Sequence, residues 1–577
     1  MNLTVKSLQH SVIMGDYMEQ AVRIVLDGVT KSTELQTSAG KMTDIEKGDL
    51  ELMHLTGSFD ACLATFSTLY TRSLIAKAQQ RNSLLPIYRL PTEVIIKIFK
   101  YYVEIGGFPH SLELVSSVWA VIVRNSPILW RHINSNQPRS AYLNSLARSK
   151  DALLVVKYTG SQWRFLYEVS EDLKLFMETA CGQVHRWQSA TLLMDTKPEL
   201  SGALFDHLAQ NPAPLLEKLD IDGTLAHFPS GSGHMNHLFG GVAPSLRHLT
   251  LKRILISWDS GFLSHLLTLT VMNHMLIRPT ASQMARIMHD CPLIVELGIE
   301  CSRGLVEEGN IVPIGVQLIE LLALKVLSLH LTPIALNYIL QVIRIPNCTQ
   351  FHIISEIPAD NIFSGATDHL IPVLAAVLHS AEFIEIYLSA THLDYTARQN
   401  NRNLIIIMLG CEGEQGDESP LSTLGWMLDH IHSPSLSIPI ELSINAQGLP
   451  LAELFASFQP YPITAFKILL DPNQEILQHL TRPVALDGVS CWHLPSLQEL
   501  SLGEWCGISL NAVLSLVESR LGRLDSGDLS GQCEPPVKLL KLRLTGGAGR
   551  VRNVHIVQKL KALVDDVVFQ RDDENIV

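Results

Sequence analysis

The sequence lacks the features that mark secreted and membrane-spanning proteins. Its nine cysteines form no C-x-x-C pair, and such an unpatterned, odd count indicates free thiols in a reducing compartment. No apolar run reaches the roughly 18 residues of a membrane span. The longest, around Leu266 to Ile277, is interrupted by Asn273 and His274. The first residues also lack the layout of a secretory signal peptide. We therefore expect a protein of the cytoplasm, the nucleus or both, with no membrane contact.

Positive charge is also scarce. The chain has 44 Lys and Arg against 57 Asp and Glu, which gives a net charge of −13 over 577 residues. A protein that binds nucleic acid presents a basic surface to the phosphates, so nucleic acid is not an expected partner. Hydrophobic residues make up 47% of the chain, which is ample material for buried cores.

Catalytic and metal-binding motifs are missing as well. The sequence contains no H-E-x-x-H, no G-x-x-x-x-G-K-[ST] and no G-x-S-x-G. Two groups of potential zinc ligands lack a complete set of four: His227, His234 and His237, and Cys491, His493 and Cys506. The sequence therefore predicts a non-enzymatic protein with no metal and no cofactor.

The segment from Leu90 to Ile133 holds the most specific pattern in the chain. Pro91 suits the first turn of a helix, and Glu93 favours the positive end of the helix dipole. The apolar residues of this helix fall on two lines rather than one: Val94, Ile98 and Tyr102, and Ile95, Phe99 and Tyr102. A short helix with two apolar faces can pack one of them internally, and the other needs a partner.

Two further helical pieces follow in the same segment. Gly106, Gly107 and Pro109 end the first helix. A second helix has an apolar face with helical spacing: Leu112, Val115, Val118, Trp119, Ile122 and Val123. Pro127 opens a last turn with Leu129 and Trp130. Three short helices make a small core, which favours a docking partner.

This segment resembles the F-box, in the form found in F-box-like proteins abundant in mushroom-forming fungi. The matching residues are Leu90, Pro91, Glu93, Ile98, Phe99, Val115, Trp119, Pro127, Leu129 and Trp130. Ser116 and Ser117 stand where that family usually has Cys and Arg. The resemblance implies docking on the Skp-type adaptor of a cullin-based ubiquitin ligase. The residues that it implies at this contact are Leu90, Pro91, Val94, Ile95, Ile98, Phe99, Val118, Trp119, Leu129 and Trp130.

The chain before the F-box-like domain (86–135) divides into two parts. Residues 1–45 are expected to be loosely ordered, and residues 46–85 to form a coiled-coil-like helix. The helix carries an apolar seam with steps of three and four: Leu52, Leu55, Phe59, Leu63, Phe66 and Tyr70. The seam can pair in a dimer or fold back on its own chain, and both remain open.

Residues 136–577 repeat one short pattern, in which an apolar residue is followed by a second three positions later and a third two positions after that. Leu216-Leu219-Ile221 and Leu246-Leu249-Leu251 are examples, and from Trp187 to Leu324 successive copies start 20 to 30 residues apart. The spacing predicts an irregular leucine-rich-repeat-like solenoid, with few repeats between 391 and 450. Exposed strand positions are candidate contacts for a protein target: Arg247, His248, Thr250, Gln498, Glu499 and Ser501.

Together these patterns predict an α/β fold, with an N-terminal helix and a three-helix F-box before the irregular solenoid. The function implied by the resemblance is that of a substrate-recognition adaptor in a cullin-type ubiquitin ligase, with an unknown protein as target. A repeat-based interaction scaffold without a ubiquitin role is the alternative. An enzyme with an unrecognised site is a third class and has the least support in the residues.

Overall fold

The computed structural model describes most of the chain in segments. These are 43–159, 171–193, 206–223, 238–254, 258–272, 279–301, 318–356, 367–410, 420–432, 438–459, 461–471, 475–486, 489–503, 509–521, 536–545 and 553–570, with Leu204 and six isolated residues between 19 and 31. The chain divides into two compact units. Unit 1 contains Met1–Arg131 and Leu146–Ala152, and unit 2 contains His132–Ser145 and Leu153–Val577.

Between residues 43 and 131, unit 1 contains one long helix and three short ones: α1 Asp44–Ser83, α2 Thr92–Glu104, α3 Pro109–Glu113 and α4 Ser117–Arg124. Two 3-10 turns, Pro86–Arg89 and Pro127–Trp130, precede α2 and follow α4. A capping box starts α1, in which the Glu46 amide donates to Thr43 Oγ1 and the Thr43 amide donates to Glu46 Oε2 at 2.8 Å. These bonds to Thr43 lower the pKa of Glu46.

The remaining helices follow in chain order. They are α5 Arg139–Ser149, α6 Glu171–Cys181, α7 Ala281–Asp290, α8 Pro333–Val342, α9 Thr367–His379, α10 Pro420–His430, α11 Leu451–Phe458, α12 Glu475–Thr481, α13 Leu510–Arg520 and α14 Val554–Leu563. In the part of the chain that the structure describes, no helix combines the length and hydropathy needed to cross a bilayer.

Every strand in the described residues belongs to unit 2. They are β1 His132–Asn134, β2 Leu154–Thr159, β3 Trp187–Leu193, β4 Lys218–Asp222, β5 His248–Lys252, β6 Thr268–Met272, β7 Glu296–Glu300, β8 Ile319–Glu320, β9 Val326–His330, β10 Ile343–Arg344, β11 Gln350–Glu356, β12 Phe383–Leu388, β13 His392–Gln399, β14 Arg402–Gly410, β15 Ile440–Asn445, β16 Ile463–Leu470, β17 Val484–Leu486, β18 Val489–Cys491, β19 Glu499–Leu502, β20 Lys541–Thr545 and β21 Asp566–Gln570.

Seventeen of these strands form one open sheet. The pairings run β1-β2-β3-β4-β5-β6-β7-β9-β11-β14-β13-β12-β15-β16-β19-β20-β21. All neighbours are parallel except β13, which is antiparallel to both β12 and β14. The expected α/β class is therefore confirmed as a mixed α/β protein with a mostly parallel sheet that does not close.

The repeated apolar pattern explains the register of the sheet. Its second and third positions fall on the same face of each strand, two residues apart. In the pairing they line up as two buried rows, Leu219-Leu249-Leu269-Leu297-Leu327-Phe351 and Ile221-Leu251-Val271-Ile299-Leu329-Ile353. A shift of one residue would turn every one of these side chains to the polar face, so the pattern fixes the register.

Candidate functional site

Helix α2 presents a row of exposed apolar side chains. Leu90 lies just before the helix, and Val94, Ile98, Tyr101 and Ile105 follow at steps of four, four, three and four residues. Leu90, Val94 and Ile98 are 38%, 39% and 43% exposed. Pro91 is also exposed, and its carbonyl accepts the amides of Val94 and Ile95 at 3.0 and 3.2 Å. The Pro91 carbonyl thus accepts the first bonds of the helix, a role that the backbone of any residue can fill, and the outer side of the helix is apolar.

A second apolar row lies on helix α4 and the residues before it. It consists of Leu114, Val115, Val118 and Val121, of which Val118 is 47% exposed. The two helices pack together through Phe99 of α2 and Trp119 of α4, whose rings lie 4.7 Å apart at 60°. We call the two rows, with Pro91, the apolar stripes. They are candidate docking residues because large exposed apolar patches usually mark interfaces.

Four of the residues expected at the partner contact lie inside the unit instead. Ile95, Phe99, Leu129 and Trp130 are 3% exposed or less, and they form the core together with Leu112 and Val123. A direct contact of the Leu129 and Trp130 side chains with a partner, which the resemblance implies, does not fit this burial. The 3-10 turn Pro127–Trp130 folds under α4, and the Trp130 indole N–H donates to the Val123 carbonyl at 2.8 Å. Trp119 is half-buried.

A charge cluster covers the edge of this core. The Glu113 carboxylate, whose side chain is only 10% exposed, accepts from Arg124 Nε at 3.3 Å and from the Arg148 guanidinium. Arg148 also lies over the Trp130 ring, 4.5 Å from its centroid. His110 lies against the same ring, with 4.9 Å between the ring centroids. The cluster fixes α3 and α4, and with them the position of the second stripe.

Sequence reasoning did not assign five members of the stripes to the partner contact: Tyr101, Ile105, Leu114, Val115 and Val121. The first two continue the line of Leu90, Val94 and Ile98 with the same helical spacing, so extending that line would have found them. Leu114 is 88% exposed, the highest value among the exposed large apolar side chains of this segment.

The second region to consider is the polar face of the sheet in unit 2. Across β4 to β11 the register aligns one row of mostly small polar residues, Asp220-Thr250-Thr270-Gly298-Ser328-His352. A groove of about 360 Å³ runs over Thr270, Gly298 and Ser328, with Glu296 and Glu300 beside it. Glu300 Oε1 lies 3.8 Å from His330 Nδ1. The groove offers hydroxyl, carboxylate and backbone groups for hydrogen bonding.

The candidate target contacts divide between two distant places on this sheet. His248 and Thr250 lie on β5, and Glu499 and Ser501 lie on β19, ten strands further along. At about 4.8 Å per strand, roughly 48 Å of sheet separates them, so they do not form one site. His248 Nδ1 lies 3.0 Å from Thr268 Oγ1, within this row of strands.

Arg247 and Gln498 have mainly structural contacts. The Arg247 guanidinium donates to the carbonyls of Pro244 and Leu246 at 3.1 and 2.9 Å, within the turn before β5. The backbone of Gln498 bonds to both neighbouring segments, with its amide donating to Thr464 and its carbonyl accepting from Lys541. Both residues directly precede their strands, and their role as target contacts stays a prediction.

Partial burial shifts the titration of two groups on the polar face. Burial raises the pKa of Asp220, against the opposing effect of Lys252 and Lys218. Burial also lowers the pKa of His352. These shifts follow from the packing of the sheet and do not depend on a bound group.

The structure describes only part of the two groups of potential zinc ligands. His227, His234, His237 and Cys506 lie outside the described residues, as do the acidic segment 411–419 and nearly all of 1–42. His493 is buried, with its ring 5.6 Å from that of His479. Within the described residues, no three His, Cys, Asp or Glu side chains come together in a way that could hold a metal ion.

Comparison with known proteins does not indicate a function. No family model matches the chain, and no curated protein matches it. The strongest candidate site is the pair of apolar stripes in unit 1, which lie exposed over a buried core.

Proposed function

We propose that the chain is the substrate-recognition adaptor of a cullin-type ubiquitin ligase. Residues 88–133 would dock on a Skp-type adaptor, and the sheet of unit 2 would bind a protein target. The observation that carries this proposal is the pair of apolar stripes, in which side chains such as Val94, Ile98 and Val118 are about 40–50% exposed although they belong to helices with a complete core of their own.

The free energy of docking comes from covering these stripes. Burial of apolar surface contributes about 25 cal/mol per Å², and a stable interface covers about 800 Å² on each partner. The stripes lie on two helices that pack directly against each other, so one partner can cover both. The buried residues Phe99, Leu129 and Trp130 act indirectly in this proposal, because they hold the two helices at a fixed angle.

The finer fold of unit 1 is part of the proposal. A three-helix F-box accounts for the order of α2, α3 and α4 with the closing Pro127–Trp130 turn. Ser116, which stands where the family has Cys, is the N-cap of α4, and its Oγ accepts the Trp119 amide at 3.2 Å. This departure from the family pattern therefore has a local structural reason, since Ser is a preferred N-cap residue.

The finer fold of unit 2 is also a proposal. Strands joined in parallel, with helices such as α7 between β6 and β7, support a leucine-rich-repeat-like solenoid that presents the polar face of its strands to a target. The cysteines whose side chains the structure describes are free thiols, which suits the cytoplasm or the nucleus.

Co-expression of the full chain with a Skp-type adaptor, followed by pull-down, tests the proposal. Replacing Leu90 and Pro91 together by Ala should abolish co-purification, with thermal stability changed by no more than about 1 °C. The matched control replaces Leu293 and Ile334 by Ala, because both are exposed apolar residues of unit 2. If the wild-type chain does not retain the adaptor, a scaffold without a ubiquitin role becomes the better account.

A further inference from the structure

The long helix α1 is not buried anywhere along its length. It runs for 40 residues, and none of them is buried. Its apolar seam repeats in steps of three, four and four residues: Leu52, Leu55, Phe59, Leu63, Phe66, Tyr70 and Leu74. Phe59 is 62% exposed and Leu63 is 57% exposed. A repeat of eleven residues keeps a seam on one face of a nearly straight helix, so the seam is a continuous surface.

The sequence of α1 does not stabilise a free helix by itself. Gly48 and Gly57 each cost about 1 kcal/mol relative to Ala in a helix interior. Thr56, Thr65 and Thr71 donate their hydroxyls to carbonyls one turn back, a bond that weakens helices slightly. Most helical stability in proteins comes from packing of an apolar face, so the seam needs a cover.

We propose that the seam of α1 pairs with the α1 seam of a second copy of this chain, in antiparallel orientation. The charges on α1 select this partner. The half from Asp44 to Leu63 carries five carboxylates and one lysine, and the half from Ala64 to Ser83 carries three basic residues and no acidic one. An antiparallel copy places each acidic half beside a basic half, whereas a parallel copy places like charges together.

The seam also matches itself when it is reversed about Leu63. In that alignment, a residue of one copy lies opposite a residue of the second copy when their two numbers add up to 125 or 126. Leu63 then meets Leu63 of the second copy, Phe59 meets Phe66, Leu55 meets Tyr70, and Leu52 meets Leu74. Every seam residue therefore faces an apolar residue of the second copy. Asp49 of one copy then lies opposite Lys77 of the other, which adds a pair of opposite charges.

The first test measures the mass of the full chain by sedimentation. The wild type should sediment at twice the mass of one chain. Leu63→Lys places two lysines opposite each other at the centre and should raise the dissociation constant at least about a hundredfold. Ile334→Lys, at an exposed position of unit 2, should leave the dimer intact. A monomeric wild type would overturn the proposal. A dimer that Leu63→Lys does not weaken would overturn it too.

The second test fixes the orientation by disulfide cross-linking in a Cys62→Ser background. Leu63→Cys should cross-link to its own copy. Leu52→Cys and Leu74→Cys should each stay uncross-linked alone and should form a mixed disulfide when the two variants are combined, since paired cysteines must come within about 7 Å between Cα atoms. Cross-linking of Leu52→Cys to itself would show a parallel pair and contradict the proposal. Both tests are independent of adaptor binding, because the seam and the stripes share no residue.

Discussion

Replacing Phe99 by Ala should open the core of unit 1. The Phe99 ring is 1% exposed and contacts Trp119, so its removal leaves a cavity under both stripes. Deleting a buried Phe usually costs about 3–5 kcal/mol, because the lost transfer energy adds to the cost of the cavity. The neighbouring residue Ile98 is 43% exposed on the same helix, and its change to Ala should cost less than about 1 kcal/mol.

Amide hydrogen exchange of the full chain resolves this difference within one helix. The chain is too large for a single two-state melt, so local exchange is the better assay. In peptides that cover residues 92–104, Phe99→Ala should speed exchange between about a hundredfold and a few thousandfold, since 1.4 kcal/mol corresponds to a factor of ten. Exchange in unit 2 peptides such as 326–330 should not change. Equal effects of Phe99→Ala and Ile98→Ala would refute the assignment of buried and exposed faces.

Three further predictions concern other parts of the chain. Glu113→Gln weakens the ion pairs to Arg148 and Arg124, and the local loss of about 1–3 kcal/mol should appear as faster amide exchange in peptides that cover residues 109–124; the loss should shrink in an Arg148→Met background, where only the Arg124 pair is left. Gly223→Ala places a Cβ 2.5 Å from the Arg253 carbonyl and should cost about 1–3 kcal/mol of local stability, measured by amide exchange in peptides that cover residues 218–223, whereas Gly298→Ala meets its nearest atom at 3.5 Å and should be tolerated. Burial lowers the pKa of His352 and His493, so the folded chain takes up fewer protons than the unfolded one and stability should fall as the pH drops below 6.5. His493→Asn should flatten that decline in urea midpoints between pH 7.5 and 5.5.

Regular elements could be predicted from the sequence because their signals are local. The period of three and four from Leu52 to Tyr70 predicts a helix, and the structure has one at Asp44–Ser83. The repeated pair of apolar residues two positions apart, such as Leu249 and Leu251, predicts strands. In the structure these strands pair so that the apolar residues line up in the buried rows. Both patterns depend only on spacing along the chain, which sequence alone contains.

One feature could not be predicted from spacing along the chain, and a second had a local signal that was missed. The burial of Leu129 and Trp130 depends on how a turn folds under α4, which is a contact between segments and leaves no periodic signal. The antiparallel strand β13 interrupts the repeat, although its turn did have a signal. Asn400 and Asn401 both have positive φ, 50° and 60°, as the two-residue loop between β13 and β14 requires. Asn is the residue that accepts this conformation after Gly, so an Asn-Asn pair between apolar runs indicates a hairpin.

The central claim is that the apolar stripes are the docking surface for a Skp-type adaptor, and titration calorimetry tests it most directly. The full chain should bind the purified adaptor, and Ile98→Lys should weaken binding at least about a hundredfold, because it places a charge in the covered surface. Ile334→Lys, at a position of unit 2 that is 69% exposed, should bind like the wild type. Absence of binding by the wild type, or equal affinity of Ile98→Lys and the wild type, would contradict the claim.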